Sequence, residues 1–103
     1  MFGRSRYATV VDAQVDLFIS EHQDVIHEVR ERFELYNRSD RDEAEELYGD
    51  YVDAVETGTE ILADIRWSFW KTLDDDTAEE YEAEFNRAVA KRFPRFGFEI
   101  ENR

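Results

Sequence analysis

The sequence predicts an all-α fold made of a long antiparallel helical hairpin, a shorter third helix and an extended C-terminal segment. Apolar residues recur at three- and four-residue spacings over most of the chain, which is the period of an α-helix. Helix-capping and helix-stopping residues divide this pattern into three segments. With 103 residues, one domain spanning positions 1–103 is expected.

The first predicted helix runs from about Thr9 to Asn37. Its apolar positions include Val11, Val15, Phe18, Val25, Val29 and Phe33. At 1.5 Å per residue such a helix is roughly 40 Å long. His22 falls on its apolar seam, where we interpret it as a polar core residue.

The second predicted helix runs from about Asp40 to Leu73. The link from the first helix is short, so the two should pack antiparallel. Gly58 lies in the middle of the apolar face, and a glycine there costs about 1 kcal/mol of helix propensity. We expect either close approach of the facing helix or a local kink at this position.

The third predicted helix begins near Thr77, the best N-cap in the sequence, and ends at Phe93 because Pro94 disfavours helix in the residue before it. Beyond Pro94, apolar and polar residues alternate with a strand period. The alternating apolar residues are Phe96, Phe98 and Ile100. We therefore expect an extended segment over the helices, with pairing to the N-terminal residues as one possibility.

Residues 61–73 hold both tryptophans and form the densest apolar stretch of the chain. At ~100° per residue this stretch is apolar on two faces, which one neighbouring helix cannot cover. We expect a third helix and a second copy of the chain to share the covering. The predicted interface residues are Trp67, Trp70, Phe69 and Ala63.

Charge is the strongest compositional feature. Asp and Glu number 26 against 13 Lys and Arg, for a net charge of −13, and only Lys71 and Lys91 are lysines. The chain has no cysteine. This composition resembles that of cytoplasmic proteins from salt-accumulating haloarchaea, and the Trp67-Ser68-Phe69-Trp70 sequence is similar to that of a small uncharacterised family of acidic helical proteins from those organisms. The resemblance implies a cytoplasmic, salt-adapted protein and no particular activity.

The only histidine-carboxylate spacing typical of a helical metal site is Asp24 with His27, to which Glu31 could add a third ligand. A second such motif is absent from the sequence, and a lone seam histidine such as His22 is more often a hydrogen-bonded core residue than a metal ligand. The sequence also lacks a glycine-rich phosphate loop and a nucleophile motif. We expect no enzyme activity, no cofactor and no metal site, with a histidine-carboxylate metal site as the least favoured alternative.

The basic residues cluster near the C-terminus, at Arg87, Lys91, Arg92 and Arg95. A second basic segment is the N-terminal stretch that contains Arg4 and Arg6. An anion or nucleic-acid patch is one interpretation. The other is that these cations pair with acidic helices and complement a helix dipole, which we favour because the whole chain repels phosphate.

These observations together predict a non-enzymatic protein-interaction module that forms a homodimer at high salt. We expect no nucleic-acid partner. We expect no membrane partner either, because the apolar stretch is too short and too charged to cross a bilayer. The alternative is an acidic regulator that presents its carboxylates to a basic partner, as a nucleic-acid mimic would.

Overall fold

A computed structural model describes residues 6–103, which form five α-helices and no strand. The helices are α1 (Ala8–Glu21), α2 (Gln23–Asn37), α3 (Arg41–Trp70), α4 (Asp75–Arg92) and α5 (Pro94–Glu101). The predicted all-α class is therefore confirmed. Within the described residues, no helix is both long enough and apolar enough to cross a membrane.

The predicted long first helix is in fact two helices, because the chain breaks at His22. Its backbone dihedrals there are φ −129° and ψ 39°, outside the helical region. The His22 N–H still donates to the Phe18 carbonyl, at 2.9 Å, and the His22 carbonyl accepts from Val25 and Ile26. The break lets α1 pack against α4 while α2 packs against α3. His22 itself is half-buried, with its ring centroid 5.6 Å from that of Phe18.

Asp40 and Asp74 cap the two helices that follow loops, so the cap of α4 is Asp74 rather than the predicted Thr77. The Asp40 side chain accepts from the backbone N–H of Glu43 at the start of α3. The Asp74 side chain accepts from the backbone N–H of Thr77 at the start of α4, and the Thr77 hydroxyl donates to the same carboxylate. Short polar side chains at this position satisfy N–H groups that have no partner within the helix.

The C-terminal segment was predicted to be extended, and this is wrong: it forms α5. Pro94 ends α4 and is also the first residue of α5, where its fixed φ suits a helix and its missing N–H costs nothing. Phe96, Gly97 and Ile100 are buried on one face of α5. An ideal Cβ on Gly97 would lie 2.6 Å from the Cα of Ala90, so this glycine allows α5 to lie directly on α4.

Gly58 allows a second close approach, although its partner is not the facing helix. A Cβ built there would lie 2.5 Å from Cε1 of Phe96 in α5, and 3.4 Å from Cγ1 of Val25 in α2. The ring of Phe96 therefore occupies the space that a side chain at position 58 would need. Because α3 is continuous through Gly58, no helix break occurs there.

The molecule is elongated, with principal extents of 51 × 24 × 22 Å. We call residues 30–52 the arm and the remaining described residues the body. The arm consists of the second half of α2 and the first half of α3, which run antiparallel: Phe33 lies against Tyr51 and Tyr36 against Tyr48.

All fully buried residues lie in the body. The largest are Phe18, Leu62, Tyr81, Phe85, Phe96 and Ile100. They come from four of the helices, α1, α3, α4 and α5. No residue of the arm is buried, so the hydrophobic core sits entirely at one end of the molecule.

Candidate interaction surface

Trp67 and Trp70 lie together near the C-terminal end of α3. Their rings are stacked, with centroids 4.9 Å apart and planes at 26°. Trp67 is 54% exposed, and Trp70 is half-buried against the core. A spacing of three residues places both side chains on one helix face. The result is an aromatic surface that the other described helices leave largely open.

The other two predicted interface residues lie differently. Phe69 points into the body, where its ring lies 4.8 Å from that of Tyr81 and 6.2 Å from that of Tyr7. Ala63 is half-buried and packs against the core. The exposed aromatic surface therefore consists mainly of the two tryptophans, and Phe69 supports it from the core side.

Carboxylates border the tryptophan pair. A shallow pocket of about 430 Å³ is lined by Trp70 on one side and by Asp75, Glu79 and Glu82 of α4 on the other. These three acids share a face of α4 because they are spaced four and three residues apart. The surface beside the aromatic rings is thus negatively charged.

A buried polar contact fixes the end of α3 that carries this surface. Arg66 is only 6% exposed, and its Nη1 donates to Asn86 Oδ1 at 2.7 Å and to the Ile100 carbonyl at 3.1 Å. One guanidinium therefore ties α3 to both α4 and α5. This role of Arg66 was not predicted from the sequence, although a lone arginine between two apolar faces was a signal for it.

Tyr81 supplies a second polar contact inside the body. Its hydroxyl donates to Gln14 Oε1 of α1 at 2.8 Å. Burial raises the pKa of the Tyr81 phenol to about 12, although the charge of Arg66 opposes this increase. The phenol is held in its neutral form and acts as a structural donor.

The residues of the hypothetical metal site, Asp24, His27 and Glu31, all lie on α2. Asp24 lines a cleft between α2 and α3, whereas His27 lines a different groove beside Arg92 and Phe93. Among residues 6–103, no group of three or more His, Asp or Glu side chains could hold a metal ion.

Most of the cations singled out from the sequence contact acidic or aromatic side chains. Arg87 pairs with Glu84 at 2.9 Å. Arg95 lies over the ring of Phe33, at 4.0 Å from its centroid. Arg6 pairs with Glu80 at 3.1 Å, whereas Arg4 lies outside the described residues.

Comparisons of this chain with protein families, with curated proteins and with solved structures find no match.

Proposed function

We propose that this protein is a non-enzymatic interaction module that self-associates through the surface formed by Trp67 and Trp70. The observation that carries the proposal is the 54% exposure of Trp67, stacked on Trp70 beside a well-packed core. A tryptophan side chain can bury about 150–250 Å² and is enriched where proteins bind one another. A second copy related by a two-fold axis would cover both rings with the same surface.

The proposal includes adaptation to high salt in a cytoplasmic setting. The net charge is −13, and Asp75, Glu79 and Glu82 lie beside the aromatic surface. Two such surfaces repel each other at low salt. Salt shortens the Debye length from about 10 Å at 0.1 M to about 3 Å at 1 M, which removes most of this repulsion. Both the dimer and the folded state should therefore become more stable as KCl is added.

The mass of the protein in molar KCl, measured by light scattering, tests the proposal. We expect a dimer that dissociates when Trp67 and Trp70 are both changed to Ala. Tyr48→Ala is the matched control: it removes an aromatic residue that is 50% exposed on the same helix, ~28 Å away along the helix axis. A monomer in molar KCl would contradict the proposal. If only Tyr48→Ala abolished the dimer, the dimer contact would lie in the arm rather than at the two tryptophans.

The carboxylates beside Trp70 favour a second candidate, an acidic module that binds a basic partner. An arginine or lysine side chain could lie against the Trp70 ring while Asp75, Glu79 and Glu82 neutralise its charge. Salt distinguishes the two candidates, because self-association should strengthen with KCl whereas binding of an arginine-rich peptide should weaken. Titration of such a peptide, followed by tryptophan fluorescence at low and high KCl, measures this difference.

A further inference from the structure

A groove lies between the break at His22 and the break between α4 and α5. Its main part has a volume of about 500 Å³ and is bordered by the end of α1, the start of α2 and the end of α4. A smaller part of about 120 Å³ continues beneath the start of α5. Both parts are lined by Ile26, Arg30, Arg92 and Phe93, so they form one continuous groove. Small-molecule sites typically measure about 300–1,000 Å³.

The charge of this groove is opposite to that of the molecule. Its ionisable lining residues are Arg30, Arg92, Arg95 and His27, and none of its described lining residues is a carboxylate. The chain as a whole has twice as many acids as bases. The cleft between α2 and α3, by contrast, is lined by four carboxylates and one arginine. A concentration of three arginines is therefore a specific feature of this groove.

The arginines keep donors available for a ligand. Within residues 6–103, Arg30 takes part in no ion pair or side-chain hydrogen bond. Arg92 reaches Asp16 only at 3.5 Å, and the two side chains are 45% and 68% exposed. Arg95 stacks on Phe33, and a guanidinium stacked on a ring still presents N–H groups at its edge.

The floor of the groove is apolar. Ile26 and Phe93 line both parts, and Phe96 lies beneath the smaller part. The rings of Phe93 and Phe96 also contact each other and Phe18, with centroid distances of 5.6–6.0 Å. This aromatic cluster is well packed, so the floor is preformed. A cationic rim above an apolar floor suits a ligand that has one anionic end and an apolar body.

We propose that this groove binds a small organic carboxylate with an apolar body. The carboxylate accepts hydrogen bonds from Arg30 and Arg92, because a guanidinium matches a carboxylate with two parallel N–H donors. The apolar body lies along Ile26 and Phe93, toward the ring of Phe96 in the smaller part of the groove. A single negative charge fits best, because a net charge of −13 repels polyanions such as nucleic acids more strongly than monoanions.

Octanoate is a suitable probe, and two matched compounds separate the contributions of its two ends. Acetate has the carboxylate without the apolar body, and octanol has the apolar body without the charge. Titration of the full chain, followed by amide chemical shifts in NMR, should give saturable shifts with octanoate at Ile19, Ile26, His27 and Phe93. Acetate and octanol should each bind at least about tenfold more weakly, because each lacks one set of contacts.

Arginine substitutions test the rim. We expect Arg30→Gln and Arg92→Gln each to weaken octanoate binding by about tenfold, the effect of losing one charge-assisted pair. Arg87→Gln is the matched control, because Arg87 belongs to the same basic cluster in the sequence, is 68% exposed and does not line the groove. Arg87→Gln makes the same change in net charge as the other two variants. We expect it to leave octanoate affinity within about twofold, since substitutions at exposed sites away from the groove have small effects.

Three outcomes would overturn the proposal. The first is that amide chemical shifts of the groove residues do not saturate up to about 10 mM octanoate, a concentration at which a ligand with a Kd of about 1 mM would be mostly bound. The second is equal binding of octanol and octanoate, which would show that the arginines make no contact with the ligand. The third is an equal loss of octanoate affinity in Arg87→Gln and Arg30→Gln, which would show that only the net charge of the protein matters and not the position of the arginine. None of these outcomes depends on whether the protein dimerises through Trp67 and Trp70.

Discussion

The body and the arm are built from the same kind of amphipathic helix, yet only the body encloses a core. In the body, α3 is surrounded by helices on more than one side, and Phe18, Leu62, Tyr81 and Phe85 are all fully buried. Over residues 30–52, the arm helices α2 and α3 pack mainly against each other, with Arg95 of α5 over the ring of Phe33, and their best-covered side chains remain partly exposed. Two helices alone bury only the stripe between them, whereas in the body α4 and α5 cover further faces of α3 and complete the core.

This difference shows where stability resides. The body should determine the free energy of global unfolding, since most apolar area is removed from water there. The arm is held by partly exposed aromatic contacts and by the Arg32–Asp50 pair, a 3.7 Å contact between exposed side chains of the kind that contributes little. It should therefore open locally at a lower free energy than the body.

The largest expected effect comes from truncating the same residue type in the two regions. Phe85 is fully buried in the body, and Phe33 is partly exposed in the arm. We expect Phe85→Ala to lower the free energy of unfolding by about 3–5 kcal/mol, the usual cost of removing a buried ring, and Phe33→Ala to lower it by about 1–2 kcal/mol. Urea denaturation in high salt measures both. Equal losses would mean that the arm is covered in solution, for example by a second copy.

The next effect concerns two close approaches within the body. An added methyl group at Gly97 would meet backbone atoms of Ala90, which cannot move without shifting α4. At Gly58 it would clash with the far edge of the Phe96 ring, while Cγ1 of Val25 lies at an ordinary contact distance of 3.4 Å. We expect Gly97→Ala to cost about 2–3 kcal/mol through overpacking. Gly58→Ala should cost about 1 kcal/mol less, because the ring can adjust and alanine improves helix propensity.

A combined variant checks the second part of this prediction. Phe96→Leu shortens the side chain that faces Gly58, so Gly58→Ala should be better tolerated in the Phe96→Leu background than in the native chain. A double-mutant cycle in urea measures this coupling. Additive losses would show that the Phe96 ring does not limit the space at position 58.

Sequence periodicity was sufficient to predict the fold class and the approximate extent of α3. It did not predict the helix break at His22, because no local residue marks a break there. Neither proline nor glycine lies nearby, and the apolar residues keep a helical spacing on both sides of His22. The break instead follows from tertiary packing, since α1 and α2 lie against different helices. Packing of this kind overrides local propensity and cannot be inferred from one stretch of sequence.

The prediction of an extended C-terminal segment was wrong for a different reason. Phe96 and Ile100 are four residues apart, which fits one face of a helix as well as one face of a strand. The deciding residue is Phe98, which a strand would bury with them and which is 75% exposed in α5. Pro94 was interpreted only as a stop signal, although proline is equally suited to the first turn of a helix.

Of the two candidate surfaces, the tryptophan pair could be predicted from the sequence and the arginine groove could not. The surplus apolar face of α3 identified Trp67 and Trp70 as a pair, because both fall on one side of the helix. The arginine groove was not predictable, since Arg30 lies more than sixty positions from Arg92 in the sequence. Only the folding of α2 against the end of α4 brings these two cations to one apolar floor.

A smaller effect appears only at alkaline pH and separates a tyrosine of the body from one of the arm. Burial raises the pKa of Tyr81 from 10.0 to about 12, so the folded state favours the neutral phenol. Its contribution to stability is complete below pH 10 and is lost as the pH rises from 10 toward 12. We expect Tyr81→Phe to reduce the loss of stability over this interval, as measured by urea denaturation. Tyr48→Phe, a change at an exposed arm residue, should leave that loss in place.

The smallest expected effect is a gain in stability confined to the arm. Gly49 lies within α3, and an added Cβ there would have nothing within 4 Å. Gly49→Ala should therefore improve helix propensity by up to about 1 kcal/mol without any steric cost, unlike the same change at Gly58 or Gly97. Because we expect the arm to open at a lower free energy than the body, the gain should appear first as slower hydrogen exchange of amides in residues 41–52, while the amides around Leu62 and Phe85 change less. Equal slowing in both regions would show that the arm and the body unfold together as one cooperative unit.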